Sequence, residues 1–190
     1  MNSIKAVEAF KPWGSERARR SRAAILDLLD NHPSPFDRRS YDPGHITASA
    51  VVLSPDRTRL ALVYHRRLNR WLQPGGHVEP DDSDVLETAR REVLEETGIV
   101  VDESDDVNLV GLDVHEIPAA GAEPFHLHHD LTFAFTAREE DGTEPCGSER
   151  AIWCAIDRLD GYDVDEPLRA SLCRALSPSP SSPSSPPNLL

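Results

Sequence analysis

Cysteine is scarce in this chain. Its 190 residues hold three, Cys146, Cys154 and Cys173, with no CxxC pair. That excludes a disulfide framework and a zinc knuckle, and makes reduced thiols in a cytoplasmic setting the expectation. No apolar run approaches the roughly 18 residues needed to cross a bilayer. The opening MNSIKAVEAFKPWG lacks the apolar core of a signal peptide. Positive charge is outweighed, with 20 Lys and Arg against 33 Asp and Glu for a net −13, so general attraction to nucleic acid or to an anionic membrane is not expected. A protein of this charge can still take a small phosphorylated molecule when a metal ion and local arginines screen it. There is no internal repeat. A hydrophobic content of 38% suits one soluble domain with a core of its own.

The chain is organised around GGHVEPDDSDVLETARREVLEETGI, Gly75 to Ile99. Two glycines follow Pro74 and lead into a polar turn. From about Ser83 the spacing predicts an amphipathic helix with Leu86, Ala89 and Val93 on its buried face. Gly98 then Ile99 reads as a stop, with glycine in the left-handed position and the apolar residue folding back. Glu92, Glu95 and Glu96 stand at i, i+3 and i+4 and so share one helix face. Like charges so spaced repel, and a bound hard cation removes the repulsion. Oxygen-only ligands suit Mg²⁺ or Mn²⁺. Arg91 is placed to orient one carboxylate through a fork-like pair. On the triad alone, a solvated acidic face is the competing reading; the ordered set of glycine turn, Arg-Glu, Glu-Glu and Gly-Ile speaks against it.

This stretch resembles the Nudix box, G-x5-E-x7-R-E-U-x-E-E-x-G-U with U aliphatic. Arg91, Glu92, Val93, Glu95, Glu96, Gly98 and Ile99 match its second half at every defined position. The first half departs. Counted from Gly76, the arginine comes one residue late, so the loop holds one extra residue. The box's first glutamate, which in the family steadies loop and arginine, has no clean counterpart, and Asp82 is nearest.

Around the box, Ser15 to Asn31 reads as a helix capped by Ser15, with Ala24, Ile25, Leu28 and Leu29 as its stripe. Its Arg17, Arg19, Arg20 and Arg22 form either a phosphate patch or, the preferred reading, a solvated face. His45–Leu53 and Arg59–Arg66 read as a hairpin. Asn108–Ile117 and Phe125–Ala137 read as strands. Alternation along the second places His126, His128, Asp130 and Thr132 on one face and Leu127, His129, Leu131 and Phe133 on the other. The His-x-His-x-Asp row could hold a metal; lining a substrate cleft is preferred. Ala151–Leu159 gives a short strand and turn, Asp165–Leu176 a helix, and Ser177 to Pro187 a low-complexity tail.

The expected fold class is α/β, a Nudix-like α/β/α sandwich with a mixed β-sheet. The expected organisation is an N-terminal helical extension and loop packed on the body over 1–44, a Nudix hydrolase domain over 45–176 and a Ser/Pro-rich flexible tail over 177–190. The resemblance implies hydrolysis of the diphosphate bond in a nucleoside diphosphate linked to another moiety, such as a nucleotide sugar, ADP-ribose or a nucleoside triphosphate. It implies Mg²⁺ or Mn²⁺ on Gly76, Glu92, Glu95 and Glu96, with Arg91 completing the catalytic set, and attack by water without a covalent enzyme intermediate. Arg66, Arg70, His126, His128 and Asp130 are candidate substrate residues. Glu139, Glu140 and Glu144, on the acidic loop from Arg138 to Arg150, are candidate bases. The expected partner is a small phosphorylated substrate, a nucleotide, with neither nucleic acid nor membrane; a homodimer is left open. Two other readings stand beside this one. One is a silent Nudix-like nucleotide-binding or regulatory module. The other is an isomerase of isoprenoid diphosphates, which calls for an active-site cysteine such as Cys146 or Cys154 beside a tryptophan.

Overall fold

The computed structural model describes residues 3–12, 15–66, 68–102, 108–139 and 150–177. The ambiguous opening contains a helix, α1 (Ser3–Ala9), whose Val7 joins Phe10 in the core; Trp13 lies outside the described residues. Helix α2 (Glu16–Asn31) starts where the Ser15 side chain accepts the Ala18 N–H, the cap read from the sequence, and buries Ala18, Ser21, Ile25 and Leu28.

Among the described residues seven strands form one mixed sheet in the order β3-β2-β1-β6-β5, with β4 paired to β1 and β7 paired to β2. They are β1 (Gly44–Leu53), β2 (Arg59–His65), β3 (Arg70–Leu72), β4 (Gly75–His77), β5 (Asn108–Ile117), β6 (His126–Thr136) and β7 (Arg150–Ala155). The hairpin expected of β1 and β2 forms, yet its strands pair only beside the turn, at Leu53 and Leu60. Beyond that point β2 takes β7 and β3 as antiparallel partners. Strand β1 runs parallel to β6 along its whole length, Gly44 opposite Leu127 through Leu53 opposite Thr136. Into the gap between the parted strands comes β4, antiparallel to Thr47–Ser49. Strands β3 and β4 escaped the sequence reading for a physical reason. Each has three residues, too few for a period of two, and Gly-Gly-His has little β propensity.

Alternation along β1 and β6 sends their side chains to two cores. On one face Ile46, Ala48, Ala50, Val52, Leu131, Phe133 and Phe135 meet α2 and the helix α3 (Val85–Thr97) through Ile25, Leu28, Leu86, Ala89 and Val93. On the other, Val51, Leu53, Leu60 and Leu62 meet Leu159 of a 3₁₀ segment (Ile156–Tyr162) and Leu168 and Leu172 of α4 (Glu166–Leu176). Helices cover both faces of a mixed sheet, as expected.

Phe133 is fully buried at the centre of the first core. Phe133→Ala is expected to cost about 3–5 kcal/mol, read as a lower urea midpoint with an unchanged m-value.

Candidate active site

Helix α3 is framed as its sequence dictates. Asp84 caps its start by accepting the Glu87 N–H, and Gly98 ends it at φ 69° with its N–H on the Leu94 carbonyl. That left-handed φ favours glycine, and Ile99 folds into the core behind it.

Arg91 is the hub of the site. Its Nε donates to Asp82 Oδ1 at 3.0 Å and its Nη2 to Asp82 Oδ2 at 3.0 Å, a two-pronged pair. Nη2 also donates to the His77 carbonyl at 2.9 Å, and Nη1 to Glu92 Oε1 at 2.8 Å and Glu95 Oε2 at 3.3 Å. One guanidinium therefore joins the loop, the glycine strand and two carboxylates of the helix. Asp82 also accepts from the Glu79 N–H and the Thr88 hydroxyl. It does the steadying that the box pattern gives to its first glutamate, with the shorter acid on the loop and the extra residue between it and Arg91. Burial opposes the charge on Asp82; the Arg91 bonds, the Glu79 N–H and Thr88 outweigh it and hold the carboxyl below its usual range.

The carboxylates meet β4 where β4 has no side chains. A Cβ on Gly76 would lie 2.5 Å from Glu92 Oε1, and one on Gly75 would lie 2.5 Å from Ser49 Oγ and 2.6 Å from the Ala48 carbonyl. Glycine at both positions lets helix and strand close on each other, and the Gly75 N–H donates to Glu96 Oε2 at 3.0 Å. Glu92 is mostly covered; burial pushes its pKa up, the Arg91 bond and charge pull it down, and the Glu95 and Glu79 charges push it up again, for a net rise. Glu95, with 58% of its side chain exposed, stands at the outer edge.

These groups open on a cavity of about 860 Å³ whose lining includes Gly75, Gly76, Glu79, Glu92 and Glu96. The opposite wall is the polar face of β6, with the alternation read from the sequence: His126, His128, Asp130 and Thr132 all line it. Asp130 is buried, and its carboxylate accepts from the hydroxyls of Thr47 at 2.9 Å, Ser49 at 3.0 Å and Thr132 at 3.2 Å. Burial pushes its pKa up. Arg17 donates to both oxygens of Asp113 at 2.6 and 2.9 Å, Arg19 pairs with Glu16, and Arg22 donates to the Val7 and Glu8 carbonyls. Three of the four arginines of the α2 cluster thus have partners within the fold, and Arg17 alone of the four lines the cavity. Burial lowers the pKa of His45, of His77 to about 4, and of His128 further still; the neighbouring histidines, which disfavour sharing several protons, add to it, as does Arg38 for His45 and His77.

Of the residues expected at the site, Gly76, Glu92, Glu96, Arg70, His126, His128 and Asp130 line the one cavity, and Arg91 stands behind its acidic wall. Arg66 and Glu139 are exposed and outside the lining. Glu140 and Glu144 fall outside the described residues, as does Cys146. Cys154 is buried in the second core, outside the cavity lining. The sequence reading missed His77, Thr47, Ser49, Asp113 and His115 on the walls, and His45 buried against His77 and His128. His45, Thr47 and Ser49 alternate along β1, and that period was the available signal.

Helices over both faces of a mixed sheet, and a carboxylate helix locked to a glycine strand, define the class. A model of the NUDIX domain matches residues 43–174, and the chain belongs to that family. Over 99 residues it is 33% identical to the Xenopus laevis protein nucleoside diphosphate-linked moiety X motif 6, a match covering 51% of this chain and 43% of that protein. The chain thus spans less than half of that relative's length. A NUDIX-family hydrolase from Clostridium perfringens shares the fold, with a TM-score of 0.53 and 17% identity over 69% of this chain and 95% of that one. A MutT protein from Bacillus halodurans gives a TM-score of 0.48 at 25% identity over 62% of this chain and 72% of that one.

Asp82→Asn tests the hub. Because the folded pKa of Asp82 is depressed, its stabilisation is present above the unfolded value near pH 4 and drains away as pH falls through the folded value. The variant is expected to lose about 2 kcal/mol at pH 7. Its difference from the parent chain in urea unfolding should shrink toward zero in strong acid.

Proposed function

We propose that this chain is a metal-dependent hydrolase of the diphosphate bond in a nucleoside diphosphate linked to another moiety. The observation that carries the reading is the convergence of Glu92 and Glu96 on the glycine strand at the mouth of a cavity large enough for a nucleotide. Glu92, Glu95 and Glu96, with the Gly76 carbonyl, are the residues that would hold Mg²⁺ or Mn²⁺. The donor set fits, because it is all oxygen and crowds like charges whose mutual repulsion a hard cation relieves. The empty Cβ position of Gly76, against Glu92 Oε1, keeps that cradle open.

Such an ion, when bound, neutralises phosphate oxygens and activates water as a nucleophile. The chain's own part is positional. Arg91 fixes the Glu92 carboxylate and, more loosely, that of Glu95, while the Gly75 N–H fixes Glu96. Arg38, Arg70 and Arg174 line the cavity and are the cations that phosphate oxygens would meet. Water attacks one phosphorus in line, and the bridging oxygen leaves with the other phosphoryl group. In this reading the proton passes to a carboxylate among Glu79, Glu92 and Glu96, a choice supported by their lining the cavity, which Glu139 does not. His126 and His128 stand where the nucleoside or its linked moiety would rest. The partner in this reading is a small nucleotide, and the net charge of −13 disfavours nucleic acid.

A panel of nucleotides assayed for released phosphate or monophosphate tests the reading. Turnover should vanish in EDTA and return with Mg²⁺ or Mn²⁺. Glu92→Gln and Glu96→Gln should each cut turnover by roughly 10²–10⁴ without lowering the melting temperature, because each removes a like charge from the cluster. Glu87→Gln, on an exposed turn of α3, should change little. Turnover that survives chelation, or variants that match the Glu87 control, would leave a binding module.

A further inference from the structure

Outside the acidic face, three histidines from three strands gather beside the cavity: His77 on β4 and His128 on β6 line it, and His45 on β1 is fully buried against them. Their ring centroids are 5.1, 4.9 and 5.1 Å apart pairwise. One ring nitrogen from each lies within 4.8 Å of the other two. The sheet register causes this. Pairing sets His45 beside His128 across β1 and β6 and places His77 opposite Thr47, the next residue of β1 on the same face.

Hydrogen bonding leaves these rings with spare acceptors. His45 is fully buried; its Nδ1 lies 3.1 Å from the Ser40 carbonyl, which fixes the proton there, and its Nε2 has no partner. The Nε2 of His128 is also buried and without a partner. Buried polar nitrogens ordinarily have partners. A histidine that gives one N–H to a carbonyl and keeps the other nitrogen unpartnered, with two further imidazoles packed against its ring, has the makings of a metal ligand with its supporting bond.

We propose that His45, His77 and His128 form a second metal site, for a dication that prefers imidazole, Zn²⁺ by class, with its fourth position open to the cavity. Three nitrogens at about 2.0–2.1 Å from a tetrahedral ion lie roughly 3.3 Å apart, so the rings close by small rotations from their present separation. Nitrogen donors separate this site from the acidic face, since hard Mg²⁺ favours oxygen. Neutral imidazole is the binding form. The site also differs from the His-x-His-x-Asp row of β6. The Asp130 carboxylate is engaged by three hydroxyls, and the three ring nitrogens that come together belong to His45, His77 and His128, without His126. Its effect is mechanical as well as chemical, because an ion there ties β4, the strand that meets Glu92 and Glu96, to the two strands at the centre of the sheet.

The test uses the full chain stripped of metal, titrated with Co²⁺ as a spectroscopic stand-in for Zn²⁺ and with Zn²⁺ by calorimetry. The expected result is one Co²⁺ per chain with the strong visible band of tetrahedral coordination, undisturbed by excess Mg²⁺ and retained in the double variant Glu92→Gln/Glu96→Gln. His77→Gln and His128→Gln should each weaken binding by at least the 10–100-fold seen when even a supporting group is removed, and should lose the band. Melting of each metal-free variant is compared with the parent chain, and half-buried His77 decides the matter if His128→Gln does not fold. Unchanged Co²⁺ affinity in His77→Gln, or a band that disappears with Glu92→Gln/Glu96→Gln, would overturn the site. So would a raised KM for the nucleotide with unaltered Co²⁺ binding, which would make the histidines substrate contacts. The Co²⁺ and Zn²⁺ binding results are read without turnover, so they stand or fall separately from hydrolysis at the acidic face.

Discussion

The guanidinium of Arg91 is the joint on which the functional end of the molecule hangs. Its five N–H groups form a rigid planar fork, and that rigidity is what the arrangement uses. Two prongs hold the loop through Asp82, one holds the glycine strand through the His77 carbonyl, and one reaches the carboxylates of α3. A lysine would carry the charge without the angles. Because loop, strand and helix share one anchor, none of them can shift without straining the others. The partly buried cation also tempers the repulsion among Glu92, Glu95 and Glu96, which the helix would otherwise bear alone.

The cavity has two chemically distinct walls. One is oxygen-rich and anionic, carried by α3. The other is rich in imidazole nitrogen, carried by β1, β4 and β6, with Asp113 and His115 paired at 3.3 Å on β5 beside it. Burial works against the charge on His115, but the Asp113 hydrogen bond and the Asp130 and Asp113 charges outweigh it and raise its pKa. Strand β4 belongs to both walls. Gly76 faces the Glu92 carboxylate, the Gly75 N–H meets Glu96 and His77 packs on the imidazoles, so neighbouring residues of one strand serve the two environments.

Much of this was legible in the sequence, for reasons that differ by element. The cap at Ser15, the stop at Gly98 and the acidic face of α3 are local, written in residues within one or two turns of each other. The period of β6 announced its polar face because that strand is long. The role of Asp82 was only half legible: its identity and neighbourhood were plain, but the pair with Arg91 depends on how a loop one residue longer folds back, which spacing does not encode. The histidine cluster was illegible for a stronger reason. His45, His77 and His128 become neighbours only through strand register, a product of long-range pairing. Strand β4 was invisible because its fitness for pairing lies in what its glycines lack.

The parallel union of β1 with β6 also governs when the molecule can come into being. Asp130 accepts its hydrogen bond from Thr47 across 83 positions of chain, and the whole of α3 lies inside the loop that this contact closes. Contacts of such span slow folding, because the entropy of closing the loop is lost before the pairing is won. On the ribosome, α3 is complete once Thr97 has emerged, yet the strand that forms the far wall ends at Thr136. Until then the acidic helix has no centre of the sheet to rest on, and its apolar stripe is exposed to any chaperone or neighbouring chain that meets it first.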